Sequence, residues 1–203
     1  MITCSPRLHP TDDLTGRKVR LREIDPADHH TLIRFDREAA RVPRTARYQH
    51  WAAHRADVAE IDDDIQFAIE TLHGRMLVGS MWTVRTDTDA GRFSYGIGIG
   101  PQHRRCGYAS DAITALLAHM FGERRYRTCE VGIHGRNVAS RTLHGGLGFR
   151  EDSRGRGIVR MSIAAHRFAE LHPALAVSRP AHPGRGRHWR QTRGQHRHPQ
   201  RWR

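Results

Sequence analysis

The run YGIGIGPQHRRCGYASD, Tyr95 to Asp111, brings together residue types suited to holding phosphate. Arg104 and Arg105 supply forked cationic donors. Gly107 lets the main chain approach a ligand, small Ala109 follows, and helical apolar spacing begins at once. A helix N-terminus offers unpaired N–H groups and the positive end of its dipole, and the two together bind phosphate. Just upstream, FSYGIGIG alternates as a strand does, with Phe93, Tyr95, Ile97 and Ile99 on one face and Ser94, Gly96, Gly98 and Gly100 on the other. Glycine weakens a strand interior, so a side-chain-free face implies a close approach. Either a ligand lies there or another element crosses tightly; the basic loop that follows favours the ligand.

Other patterns point to no separate chemistry. His50 and His54 in HWAAH have metal-ligand spacing but lack the glutamate that zinc proteases place after the first histidine, so they read as a polar helix face. Asp62–Asp64 read as a solvated turn. Cys4, Cys106 and Cys129 are an odd, scattered set with no Cys-x-x-Cys, which implies neither a disulfide framework nor a zinc knuckle. No metal is expected.

The elements that must position the loop follow from periodicity. RKVRLRE (17–23) alternates as a half-buried strand. Asp25 as N-cap and Pro26 at the first helical position start a helix running to about residue 40. A short helix is expected over 51–60. Strands at 65–71 and 76–86 flank the turn LHGR, and 93–100 forms a third. A long helix from 107 to 122 carries Ala112, Ile113, Leu116, Leu117, Met120 and Phe121 on one stripe. A strand over 126–134 precedes a short helix capped by Asn137. The segments 149–154 and 158–163 pair across GRG. The order β-α-α-β-β-β-α-β-α-β-β predicts an α+β (mixed α/β) class with a single sheet.

RRCGYA resembles the Arg/Gln-x-x-Gly-x-Gly/Ala loop with which the GNAT superfamily of N-acetyltransferases binds the pyrophosphate of acetyl-CoA. NVASRTLHGGLGF is similar to the Asn-x-x-Ser…Leu-Gly-Phe signature of its ribosomal-protein N-terminal (alanine) acetyltransferase-like branch, and VRLREIDPADHHTLIRF to that branch's first strand and helix. The resemblance spans about residues 14–172. It implies a central, mostly antiparallel, twisted sheet with helices on both faces. It also implies acetyl-CoA as co-substrate and direct transfer of acetyl to a primary amine in a ternary complex, the amine being a protein N-terminus or a small molecule. By the same carry-over, Ile97, Gly98 and Ile99 pair with the pantetheine arm and Asn137 meets it from the other side. Arg104, Arg105, Cys106, Gly107, Tyr108, Ala109 and Ser110 hold the diphosphate, and Ser140 sits near the sulfur. For Asn137 and Ser140 helix capping is the competing reading.

Many relatives carry a glutamate on the strand before the loop; here 93–100 has no carboxylate, so Glu130 and His134 are the next base candidates. The GRG link is shorter than the excursion that helps form the acceptor pocket in that branch. A non-catalytic CoA-binding module and an RNA- or ribosome-associated acetyltransferase are the alternative readings.

Composition bounds the rest. Eight of the net +13 charges lie in 178–203, leaving +5 on residues 1–177. That tail holds eight Arg, four His and no acid, and cannot bury enough apolar surface to offset its ordering entropy. Its arginines and two tryptophans make nucleic acid a secondary partner reading. Lys18 is the one lysine beside 33 arginines, a bias that codon composition produces unaided. The sequence thus divides into a lead-in (1–16), a catalytic domain (17–172) and a tail (173–203). With neither a secretory pattern nor a long apolar run, a cytoplasmic monomer or homodimer is expected, with no membrane partner.

Overall fold

The computed structural model describes residues 14–41, 65–87 and 90–176. The helix expected over 51–60, the HWAAH pair, Asp62–Asp64 and the tail 178–203 lie outside the described residues.

Among the described residues, seven strands form one sheet in the order β1-β2-β3-β4-β5-β7-β6. They are β1 (Val19–Glu23), β2 (Gln66–Thr71), β3 (Leu77–Asp87), β4 (Arg92–Ile99), β5 (Thr128–His134), β6 (Arg150–Gly155) and β7 (Ile158–Ala164). Every neighbouring pair is antiparallel except β4 and β5. The helices are α1 (His29–Arg41), α2 (Tyr108–Gly122), α3 (Val138–Gly146), α4 (Ala165–Leu171) and α5 (Pro173–Ala176). The predicted mixed α+β class with a single, mostly antiparallel sheet is the one observed.

Alternation along the strands builds the core. Val19, Leu21, Phe67, Ile69, Phe93, Tyr95, Cys129, Val131, Ile133, Val159, Met161 and Ile163 are buried together with Ile113, Leu116 and Leu117 of α2. Each large side chain fully withdrawn from water contributes ~1.5–3 kcal/mol. On the opposite face, Phe35 of α1 packs against Gly100 at the end of β4. Helices therefore cover both faces. Residues 14–16 also belong to the fold: Gly16 donates to Val19 O and Leu21 to Leu14 O, laying the lead-in's last residues along β1.

The start of α1 follows the sequence signal with one refinement. Asp25 and Asp28 form a capping box, yet Pro26–Asp28 make a single 3-10 turn before the α-helix begins at His29. Asp28 is buried because Arg22 of β1 holds it with two bonds, of 2.6 and 2.9 Å. Arg22 also reaches Glu70 of β2 at 2.7 Å, and Arg20 and Arg75 each approach Glu70 to 2.8 Å. The hydrogen bond from Arg22 holds the Asp28 carboxyl below its usual range. Burial alone would raise Glu70, but Arg22 and Arg20 outweigh it and its pKa is lowered.

Both folded pKa values lie below the unfolded ones near 4, so the unfolded chain takes up protons first as pH drops. Stability that this cluster contributes above about pH 4.5 is lost as pH falls through the depressed values. Glu70→Gln combined with Asp28→Asn should flatten the acid limb of the urea-midpoint profile between pH 3 and 7, and lower its plateau.

Candidate active site

The parallel ladder between β4 and β5 has two pairs, Arg92 with Thr128 and Phe93 with Cys129, and then stops. From Ser94 to Ile99 the strand continues with β3 on one side and, among the described residues, no strand on the other, so a fork opens in the middle of the sheet. Three residues after β5, Asn137 caps α3 by accepting from Ser140 N at 3.2 Å. His144, one helical turn beyond Ser140, reaches back across the fork to Tyr95 of β4: Nε2 and the phenol oxygen are 2.9 Å apart.

The protonation state of this pair follows from its partners. His144 Nδ1 lies 2.7 Å from Ser140 O, and a carbonyl only accepts, so Nδ1 carries the proton. Burial lowers the His144 pKa despite the pull of that carbonyl, leaving the ring neutral with Nε2 as acceptor for the Tyr95 hydroxyl. Burial likewise raises Tyr95 well above its ordinary value, so the phenol keeps its proton. Ser140 Oγ is 3.4 Å from the already protonated Nδ1, and His144 therefore has no lone pair with which to deprotonate it.

At the far end of β4, Pro101–His103 make a 3-10 turn, Arg105 and Gly107 take φ of 64° and 81°, and α2 begins. The N–H groups of residues 105–110 meet no protein acceptor among the described residues; the first inward bond at this end is Asp111 N to Gly107 O. Asp111 is the acid of this first turn, and three amides at the entry to β1 occupy its carboxylate: Arg17 N at 2.9 Å, Lys18 N at 2.7 Å and Val19 N at 2.9 Å. A Cβ on Gly16 would stand 2.3 Å from that carboxylate. The helix mouth is thus open, rich in donors and short of negative charge, which is the chemistry a diphosphate fits. Below the fork on the outer sheet face lies a cleft of about 660 Å³ lined by Arg92, Ser94, Glu130, Asp152, Arg160 and Ser162 among others.

The model of the acetyltransferase (GNAT) domain family matches residues 18–150. The chain belongs to the GNAT family. It is an acyltransferase, and family members use acetyl-CoA as co-substrate. The SPβ prophage-derived uncharacterized N-acetyltransferase YokL of Bacillus subtilis is 28% identical over 153 residues, covering 71% of this chain and 83% of YokL. Among solved structures, FdhC, described as a nucleotide-linked sugar GNAT, superimposes with a TM-score of 0.67 at 12% identity, over 81% of this chain and 97% of that one. A GCN5-related N-acetyltransferase from Brucella melitensis gives 0.62 at 22%, over 81% and 82%. The spermidine N-acetyltransferase of Vibrio cholerae, solved with CoA and spermine, gives 0.58 at 17%, over 74% and 97%. At these identities the structures speak for the fold.

Within this GNAT domain the sequence-derived residues fall into three groups. Ile97, Gly98 and Ile99 lie on the unpaired stretch of β4, and Arg104–Ser110 form the helix mouth, with Arg104 Nε bonded to Ile99 O at 3.3 Å. Asn137 and Ser140 open α3 beside the fork; Asn137 does cap, as the competing reading had it, which uses its oxygen and leaves its NH₂ group. Glu130 lies on the outer face of β5, and one of its two carboxylate oxygens accepts from Arg92. His134, two residue pairs further along that face, accepts from Arg136 N at 3.3 Å.

The glycine face needs correction. A Cβ on Gly96 would stand 1.8 Å from the Trp82 ring, and one on Gly100 would stand 2.9 Å from the Phe35 ring. At these two positions tight packing, not a ligand, removes the side chain; what the fork leaves open is the strand's edge. Tyr95, His144, Lys18 and Asp111 escaped sequence reasoning. His144 stands one turn from Ser140, a readable hint, whereas no local pattern ties Lys18 or its neighbours to Asp111, more than 90 positions away.

Gly96→Ala should lower the unfolding free energy by about 1–3 kcal/mol without any ligand, because the indole and a central strand must shift; urea denaturation of the free protein measures this. His144 titrates in the opposite direction from a paired histidine. Its folded pKa lies below the unfolded value near 6.5, so the stability it contributes above that pH is lost as pH falls toward the folded value. His119 and His172, also lowered by burial, add to the same slope. His144→Phe should make the decline in urea midpoint between pH 7.5 and 5 shallower.

Proposed function

We propose that this GNAT domain transfers acetyl from acetyl-CoA to a primary amine by direct attack in a ternary complex. The reading rests on the unpaired amides of residues 105–110 lying in line with the unpaired edge of β4. The N–H groups of 105–110 would receive the diphosphate, with Arg104 and Arg105 adding charge. The backbone of Ile97–Ile99 would pair with the pantetheine arm as an added strand would, and a β4 N–H would face the thioester carbonyl, where negative charge grows as the amine bonds to carbon. The Asn137 NH₂ group would meet the arm from the α3 side.

As the C–N bond forms and the C–S bond breaks, Ser140 would donate a hydrogen bond or proton toward the departing sulfur, a role open to it because His144 leaves its hydroxyl protonated. The amine would enter from the outer cleft. Its surplus proton would leave to Glu130, His134 or water; with Glu130 bound to Arg92, an amine arriving neutral needs least help.

For the acceptor we favour a protein N-terminus, the class suggested by the likeness of NVASRTLHGGLGF and the first strand and helix to the ribosomal-protein N-terminal branch. The link after β6 departs from that branch. Arg156 and Gly157, with φ of 50° and 78°, form a two-residue hairpin turn, so no long loop overhangs the cleft from this side.

Gly107→Glu places bulk and negative charge at the helix mouth, beside Lys18, at a φ that L-residues adopt at a cost of about 1–2 kcal/mol. The variant should fold and lose CoA binding by isothermal titration. Full affinity in that variant would remove residues 104–110 from the site. Release of CoA thiol from acetyl-CoA across a panel of amines and N-terminal peptides then reads the transfer itself.

A further inference from the structure

The helix mouth carries a charge arrangement that the phosphate-loop motif does not explain. Lys18 stands on the lead into β1, 88 positions from the loop, yet its Nζ donates to Cys106 O at 2.9 Å. The same ammonium lies 3.1 Å from where a Cβ on Gly107 would be. Its backbone is fixed on both sides, with N on Asp111 Oδ2 at 2.7 Å and O accepting from Leu72 N at 2.8 Å. One of its three ammonium donors is therefore used, and the other two have no acceptor among the described residues.

A cation at a helix N-terminus opposes the dipole and is ordinarily unfavourable there. Here Lys18 joins Arg104, Arg105 and six amides unpaired among the described residues, and Asp111, the acid of this helix's first turn, already accepts three amides at the entry to β1. Lysine suits the position because its compact, point-like charge reaches past Cys106 O, where a planar guanidinium would need two matched acceptors.

We propose that Lys18 is a specificity residue whose ammonium binds a phosphate oxygen of the co-substrate's nucleotide portion and so selects CoA thioesters over thioesters that lack the nucleotide. This rests on the acetyl-CoA reading above, and it assigns to the segment leading into β1 a part in ligand recognition that the loop alone does not supply.

The test uses the full chain with CoA and with pantetheine, which shares the arm but lacks the phosphates. A charge-assisted hydrogen bond contributes about 1.5–3 kcal/mol, or roughly 10- to 100-fold in affinity. Lys18→Met should weaken CoA binding by that factor in calorimetric titration and leave pantetheine binding, followed by ligand-observed NMR, unchanged. Lys18→Arg, which keeps the charge on a bulkier planar head, should recover only part of the CoA affinity. Lys18→Gln, with circular dichroism on each free variant, guards against a misfolded methionine variant.

If wild type binds CoA and both neutral variants bind it equally well, the assignment is overturned while the acetyl-CoA reading stands. Equal weakening for CoA and pantetheine would reduce Lys18 to a structural prop and also overturn it. Absence of CoA binding by wild type would overturn the acetyl-CoA reading and Lys18 with it.

Discussion

Two residue pairs hold β4 and β5 side by side, and the site's geometry depends on where that ladder ends. Had it continued past Phe93 and Cys129, the edge from Ser94 to Ile99 would be consumed and no ligand could reach the sheet's interior. Stopping it creates a line of unpaired backbone donors and acceptors inside a folded domain, a liability unless something else pairs with it. The Tyr95–His144 bond crosses that gap on the core side, so the two arms are tied at one depth while the edge stays open.

The second constraint is electrostatic. The amides of residues 105–110 can remain free at the start of α2 because Asp111 accepts from β1 rather than from its own helix end. One carboxylate thereby does two things: it docks the first strand against the long helix, and its acceptor oxygens are drawn away from the mouth. Gly16 has no room for a side chain for this reason, although its sequence neighbourhood reads only as the end of a lead-in.

Sequence periodicity located most elements well, since alternation in β2, β3, β5 and β7 and the apolar stripe of α2 are direct consequences of facing one core. The Asp25–Pro26 start and the Arg-x-x-Gly-x-Ala loop were legible for the same reason: each is a local device whose parts lie within a few residues. The glycine run showed where legibility ends. Alternation with isoleucine marks a face that something approaches, but it does not say what, and only the placement of Trp82 and Phe35 shows that indole and phenyl rings fill positions 96 and 100. Asp111, Lys18 and Tyr95 act on partners 49 to 94 positions away along the chain, a range over which a single sequence carries no spacing signal.

The two outermost strands have a bearing on self-association. At one margin, residues 14–16 fold over β1 and Asp111 occupies its leading amides; at the other, β6 is wholly exposed and carries Arg150, Glu151, Asp152 and Arg154. Capping one rim with backbone and studding the other with charge discourages another molecule from extending the sheet into a fibre or a swapped ribbon. A chain whose interior strand must stay available for pairing with a small molecule is thereby shielded from pairing indiscriminately with copies of itself.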